Sequence, residues 1–280
     1  MGRVSIITDS TVCLPREVLE RYGIHVVPLL LVVEDRVYRD GVDITPAEFY
    51  SLLPRAKKLP TTTSPSPAVF LEAYRQASKG ADSILCITLS RKLGMVYDSA
   101  CSAREAARAD LPGVQIEVLD SETAGAESFI VLAGARAAAQ GQGLAEVAGA
   151  ARRLIPKVRL IGVLETLYYL AKGGRIRKPT FWAASILMVK PVFRLRQGEV
   201  GVLERPRTRA RALERVLAIM KTDLGNSTAH VSLMHANVPE DAEGFKARVQ
   251  AEFNCAELYL TDFTPVMGAH AGLGTLAVAY

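Results

Sequence analysis

Short apolar runs alternate with helical patterns through the first half of the chain, and this constrains the fold more than any other feature. Residues 3–8 form one run, ending at Asp9-Ser10, and Pro15 then opens a helix through Arg21, because Pro suits a first helical turn. Residues 26–33 form a second strand candidate, made an edge or irregular strand by Pro28. Thr45-Pro46-Ala47-Glu48 is an N-cap with Glu48 in capping-box position, leading a helix to Leu53. After a Pro- and Thr-rich stretch over residues 60–67 come a helix over 68–77, a strand over 83–88, a helix over 95–109 and a strand over 114–119. That last strand ends in a second Asp-Ser pair, Asp120-Ser121, and two Ala-rich helices fill 127–154. Such alternation predicts an α/β domain with a parallel sheet, whose ligand sites lie at the carboxyl ends of its strands.

Beyond Pro156 the pattern shifts toward paired strands. Residues 189–195 and 200–204 flank Arg196-Gln197-Gly198-Glu199, a hairpin-type turn. A helix over 208–222, a strand over 229–235, a helix over 240–253 and two final strands follow. The fold class is therefore α/β in two domains: residues 1–155 around a parallel sheet, and 156–280 as an α/β domain with a mixed sheet.

Composition narrows the function classes. Hydrophobic residues make up 49% of the 280 residues but aromatics only 6%, so the core is aliphatic. The longest apolar stretches fall far short of the roughly 20 residues a membrane span needs, and the start lacks a signal-peptide apolar region, so a cytoplasmic protein without an integral span is expected. Ile6 breaks the myristoylation pattern. Cys13, Cys86, Cys101 and Cys255 have neither Cys-x-x-Cys spacing nor a nearby His cluster, which reads as reduced thiols, no disulfide framework and no metal site. The net charge is +5, but Arg and Lys are dispersed and rarely alternate with aromatics, so no nucleic-acid partner is expected.

Polar sites end the apolar runs at Asp9-Ser10-Thr11, Thr61-Thr62-Thr63-Ser64 and Asp120-Ser121. In a parallel sheet they gather along the ligand edge; alternatively, Asp9 and Asp120 cap the helices that follow. The hydroxyls of the second site, held by Pro65 and Pro67, can bind an anion, or form a solvated loop with Ser66 as an N-cap. Lys172-Gly173-Gly174-Arg175 follows a helix over 165–171 as its C-cap, or serves as an exposed cationic turn that meets a carboxylate or phosphate. His270 lies among glycines in what reads as an open loop over 268–274, whereas His25, His230 and His235 fall in apolar strand patterns and are expected to be packed there. Neither a dinucleotide nor a Walker-type glycine motif occurs, and no catalytic triad order specifies a reaction.

These stretches together resemble the DegV family of bacterial fatty-acid-binding proteins. The carrying segments are Thr8-Asp9-Ser10-Thr11 with Leu14-Pro15, Tyr38-Arg39-Asp40-Gly41-Val42, residues 60–67, Leu93 with Tyr97 and Ser99-Ala100, and Asp120-Ser121. Glu165-Thr166-Leu167, Gly173-Gly174-Arg175-Ile176, Lys190-Pro191 and Gly268-Ala269-His270 complete the series in order. The resemblance implies a carrier rather than an enzyme, without cofactor, that buries a long-chain fatty acid such as palmitate chiefly in its C-terminal domain. It also implies a carboxylate held near the domain junction and a fatty-acid kinase as partner. Thr62 matches the family threonine that bonds the carboxylate, and Arg175 and His270 match its polar surroundings. Gly94 stands where the family carries a second carboxylate-binding hydroxyl, on a serine, so a water is expected in that place. The aliphatic stretches over 158–164 and 181–189 are tunnel lining or ordinary core. Two rival readings stay open: a metal-dependent enzyme acting on a phosphorylated small molecule through Asp9 or Asp120, and an interaction protein without a ligand.

Overall fold

The computed structural model describes residues 2–176 and 189–280. The first half runs β1 (Val4–Asp9), α1 (Arg16–Arg21), β2 (His25–Val27), β3 (Leu30–Val33), β4 (Arg36–Arg39), α2 (Pro46–Leu52), β5 (Thr61–Thr63) and α3 (Pro67–Ser78). It continues through β6 (Ser83–Thr88), α4 (Val96–Asp110), β7 (Gln115–Asp120), α5 (Glu127–Ala139) and α6 (Leu144–Leu154). The second half holds β8 (Leu160–Val163), α7 (Tyr168–Lys172), β9 (Val192–Arg196), β10 (Glu199–Glu204) and α8 (Arg209–Leu224). It ends with β11 (Ala229–His235), α9 (Pro239–Glu252), β12 (Cys255–Asp262), α10 (Pro265–Ala271) and β13 (Leu276–Ala279).

Strands β2, β1, β6 and β7 form a parallel sheet in that order. Every residue of β6 is buried, and α5 and α6 supply the alanines that let helices sit close on the sheet. The second large sheet has the order β10-β9-β8-β13-β11-β12; only β11 and β12 run parallel, so it is mixed. The α/β architecture with a parallel and a mixed sheet thus matches the expectation. The capping box is present as well, with the Thr45 side chain accepting from Glu48 N and Glu48 accepting from Thr45 N.

A third sheet, β4-β3-β5, lay outside the sequence reading. The single strand expected over 26–33 is two strands in two different sheets, broken at Pro28-Leu29. Proline has no N–H to donate to a ladder, so the chain leaves the parallel sheet at Val27 and pairs anew from Leu30. Strands β3 and β4 are joined through Glu34 and Asp35, both at positive φ, the conformation that a tight hairpin turn requires. Thr61-Thr62-Thr63, read as loop, is β5, antiparallel to β3 with Thr62 opposite Leu31.

Candidate functional site

An apolar cavity of about 810 Å³, counting the space open at its mouth, lies between the two large sheets and is walled by both halves of the chain. Thr11, Leu89 and Ala124 follow the carboxyl ends of β1, β6 and β7, so one wall is the edge where parallel sheets place ligands. Leu160, Leu164, Phe193 and Leu195 of β8, its exit loop and β9 supply the opposing wall. The stretch over 158–164 therefore lines the cavity in part; the stretch over 181–189 lies outside the described residues except at its last position. Among the described residues both halves of the chain line the cavity.

Among the described residues, the polar side chains on this lining are Thr11, Thr62, Thr63, Ser64, Arg175 and His270. Thr62 Oγ1 lies 2.8 Å from His270 Nε2, which joins β5 to α10 across 208 residues of sequence. His270 does not sit in an open loop: residues 265–271 are helix α10, begun by Pro265 in its first turn. Position 268 requires glycine because the Tyr50 ring packs on it; a Cβ there would stand 2.5 Å from the Tyr50 hydroxyl, which in turn donates to Phe263 O. Burial, with the nearby Arg175 cation, pushes the His270 imidazole down to about 4, so it is neutral near pH 7. Its Nδ1 is buried without a partner among the described residues, against Gly173, where a Cβ would stand 2.7 Å away.

Arg175 departs from the exposed turn expected of it. The residue is half-buried behind the C-cap of α7, and its Nη1 donates to Gly173 O at 2.7 Å. No carboxylate pairs with it among the described residues, and burial lowers its guanidinium from the ordinary value without discharging it. An unpaired, part-desolvated cation on an apolar wall is costly unless an anion joins it. At Gly94 the backbone leaves open space: a Cβ would meet only Ser64 Oγ, at 3.7 Å. The helix before the Gly pair is shorter than expected, beginning at Tyr168 rather than 165. Glu165 precedes it and pairs with Lys190, bringing two of the resemblance segments together.

Neither Asp9 nor Asp120 caps a helix, since the N-cap positions of α1 and α5 are Pro15 and Ala126. Asp9 is fully buried: Oδ1 accepts from Thr11 N at 2.9 Å and Thr11 Oγ1 at 2.7 Å, and Oδ2 accepts from Leu89 N at 2.7 Å. Burial raises its carboxyl against those bonds. Thr11 Oγ1 also stands 2.5 Å from Glu127 Oε1. A hydroxyl has one proton; with it given to Asp9, the second contact is made when Glu127 carries its own. Burial pushes Glu127 well above the carboxylate range, in keeping with a neutral acid. Asp9 thus turns its oxygens to the protein's own donors. Asp120 Oδ1 accepts from Glu122 N in its turn. Among the described residues no cluster of three or more His, Cys, Asp or Glu side chains is arranged to hold a metal, and no helix is long and apolar enough to cross a membrane.

The remaining histidines divide. His235 is buried, whereas His25 and His230 are exposed on strands at or beside sheet edges, where one face meets solvent. Cys13 and Cys86 are buried, Cys101 and Cys255 partly so, and all four are free thiols. Sequence reasoning missed Glu127, whose one signal is an isolated acid at the head of an apolar helix, and it grouped Ser64 with a loop.

The DegV family model matches residues 3–280. The chain belongs to that family. This DegV chain is 34% identical to the DegV domain-containing protein TTE1491 of Caldanaerobacter subterraneus, over 97% of its own length and 96% of the relative's. It is 35% identical to SCO2569 of Streptomyces coelicolor, over 98% and 97%. Among solved structures it is similar to a fatty-acid-binding DegV family protein from Thermus thermophilus, with a TM-score of 0.90, 29% identity and 99% of each chain covered. DegV of Bacillus subtilis, a fatty acid binding protein, matches with a TM-score of 0.89 and 25% identity over 100% and 99%. A stearic acid-binding protein from Eubacterium ventriosum matches with 0.89 and 26% over 99% and 97%.

Proposed function

We propose that this chain binds a long-chain fatty acid, with the tail in the apolar cavity and the carboxylate at Thr62, His270 and Arg175. One observation carries the reading: Arg175, half-buried and unpaired among the described residues, shares the lining with a neutral imidazole and a few hydroxyls, while the remaining described lining is apolar. That is the complement of an amphiphile with one negative end. A tail of about sixteen carbons gains on the order of 10 kcal/mol on leaving water, at roughly 0.8 kcal/mol per methylene, so the head needs only a few bonds. With Nδ1 unpartnered, the arrangement that frees the Thr62 proton has His270 donating through Nε2 to Thr62 Oγ1. The hydroxyl then donates to the carboxylate.

On this reading the protein is a cytoplasmic carrier, not itself an enzyme, and it presents the carboxylate to a separate fatty-acid kinase that transfers a phosphoryl group to it. The satisfied oxygens of Asp9 support a carrier over chemistry at that residue. The domain boundary falls near residue 155, since the parallel sheet is built from residues before it and the mixed sheet from residues after it. The test is organic extraction and mass analysis of protein purified from a bacterial host, then of protein incubated with palmitate. A stoichiometric acyl chain is expected; none in either sample overturns the proposal. Adding a fatty-acid kinase and ATP should yield an acyl phosphate trapped by hydroxylamine as the hydroxamate.

A further inference from the structure

The geometry points to Ser64 as a second hydroxyl donor to the carboxylate, an inference that rests on the fatty-acid reading above. Ser64 follows β5 and keeps its alternation: Thr62 and Ser64 are half-buried, while Thr61 and Thr63 are exposed. Both half-buried side chains line the cavity. Ser64 Oγ accepts the backbone N–H of Met95 at 3.1 Å, at the start of α4. That bond uses a lone pair and leaves the hydroxyl proton, which finds no acceptor among the described residues.

The space beside that proton is open because of Gly94. A Cβ at 94 would stand 3.7 Å from Ser64 Oγ with no other described atom beyond its chain neighbours within 4 Å, so the glycine clears the approach to the Ser64 hydroxyl. Any group accepting from Ser64 there lies on the same wall as Thr62, two residues away. A carboxylate offers two oxygens and about four acceptor sites, enough to bridge the Thr62 and Ser64 hydroxyls with the Arg175 charge nearby. Ser64 therefore selects for an ionised head group over a neutral one, while its bond to Met95 N holds the hydroxyl in place.

Titration of delipidated protein with palmitate and with hexadecanol, which share a tail but not a charge, tests this. Ser64→Ala should weaken palmitate about tenfold, the value of one hydrogen bond to a charged group, and hexadecanol by less than about twofold. Ser64→Thr, which keeps a hydroxyl, should preserve the palmitate preference. Gly94→Ser puts a hydroxyl beside Ser64: in the Ser64→Ala background it should recover most of the loss, and alone it should change affinity by less than about threefold, because the site is already served. If the wild-type chain binds neither ligand, the fatty-acid reading itself fails. If wild type binds and Thr62→Val weakens palmitate, but Ser64→Ala matches wild type, the reading stands and Ser64 is overturned. An equal loss for both ligands makes Ser64 only a brace for Met95 and also overturns it. So does a tenfold tightening by Gly94→Ser in the intact chain, which is the result if solvent alone serves that place.

Discussion

At the scale of single residues the site depends on groups held in one protonation state by their surroundings. Thr62 is aimed by its contact with His270, so Thr62→Val should weaken palmitate binding about ten- to a hundredfold, as expected for a lost bond to a charged group, while Thr62→Ser should retain most of it. Parallel titrations of the three proteins check this. His270 has a pH signature whose sign follows from its depressed value. The unfolded chain takes up a proton near pH 6.5 but the folded chain only near 4, so stability from the neutral imidazole is full above 6.5 and lost as pH falls toward 4. The loss approaches about 3 kcal/mol at 1.36 kcal/mol per unit. Urea unfolding of lipid-free protein at pH 7.5 and 5 should show wild type losing stability relative to His270→Gln as pH falls, other titrating groups such as Asp40 being common to both; a difference that does not change with pH would place the slope elsewhere.

At the scale of elements, α7 and α10 are brought together through glycines that differ in kind. Gly173 has φ of −75°, which any residue adopts, yet a Cβ there would stand 2.7 Å from His270 Nδ1. Gly174 has φ of +70° and nothing within 4 Å, so its requirement is conformational alone. Gly173→Ala should therefore displace His270, costing about 1 to 3 kcal/mol of stability and also weakening palmitate binding. Gly174→Ala should cost about 1 kcal/mol with binding kept. Denaturation and titration of both variants separate the two roles, and equal binding in both would show that the His270 ring moves freely. The same approach of the two helices accompanies the helical conformation of 268–271, where the sequence reads as an open loop over 268–274. Gly268 within α10 admits the Tyr50 ring and Gly272 at its C-cap admits the Tyr169 ring, and those partners lie far away along the chain.

Across the whole molecule, buried acids join the sheets. Asp40 accepts from Ser10 Oγ at 2.6 Å and Val266 N at 3.4 Å, tying the end of β1 and the start of α10 to the end of the β3–β4 hairpin. Burial, against the Ser10 bond, pushes its carboxyl up to about 6. Its folded value exceeds the unfolded one, so folding takes up a proton, and the associated stability is present below about 3.8 and lost as pH rises through about 6. Asp40→Asn removes that term and should gain about 1 to 3 kcal/mol relative to wild type between pH 4 and 7.5, measured by urea midpoints. A difference independent of pH would show that Asp40 is ionised throughout. On the far side, Arg136 of α5 forks onto Glu257 of β12, with Nη1 to Oε1 at 3.0 Å, bracing the parallel sheet's helices against the mixed sheet. Burial works to raise Glu257, but bonds from Arg136, Tyr259 and His230 hold it down at about 2.

What the sequence determined by itself was local: the alternation that makes a parallel sheet, the capping box at Thr45 and Glu48, the hairpin around Gln197 and Gly198, and the residue types of the polar cluster. Each rests on neighbours within a few positions, where period, proline and turn chemistry act directly. The motifs that carried the family resemblance were legible in the same way, as short strings. Tertiary structure decided the rest. It split 26–33 between two sheets, made 61–63 a strand by pairing it with β3, and placed His270 with Gly268 in a helix. It also half-buried Arg175 and set Ser64 beside Gly94, contacts across about thirty to two hundred residues whose energies depend on desolvation. Desolvation is a property of the packed surroundings, and no short window of sequence contains them.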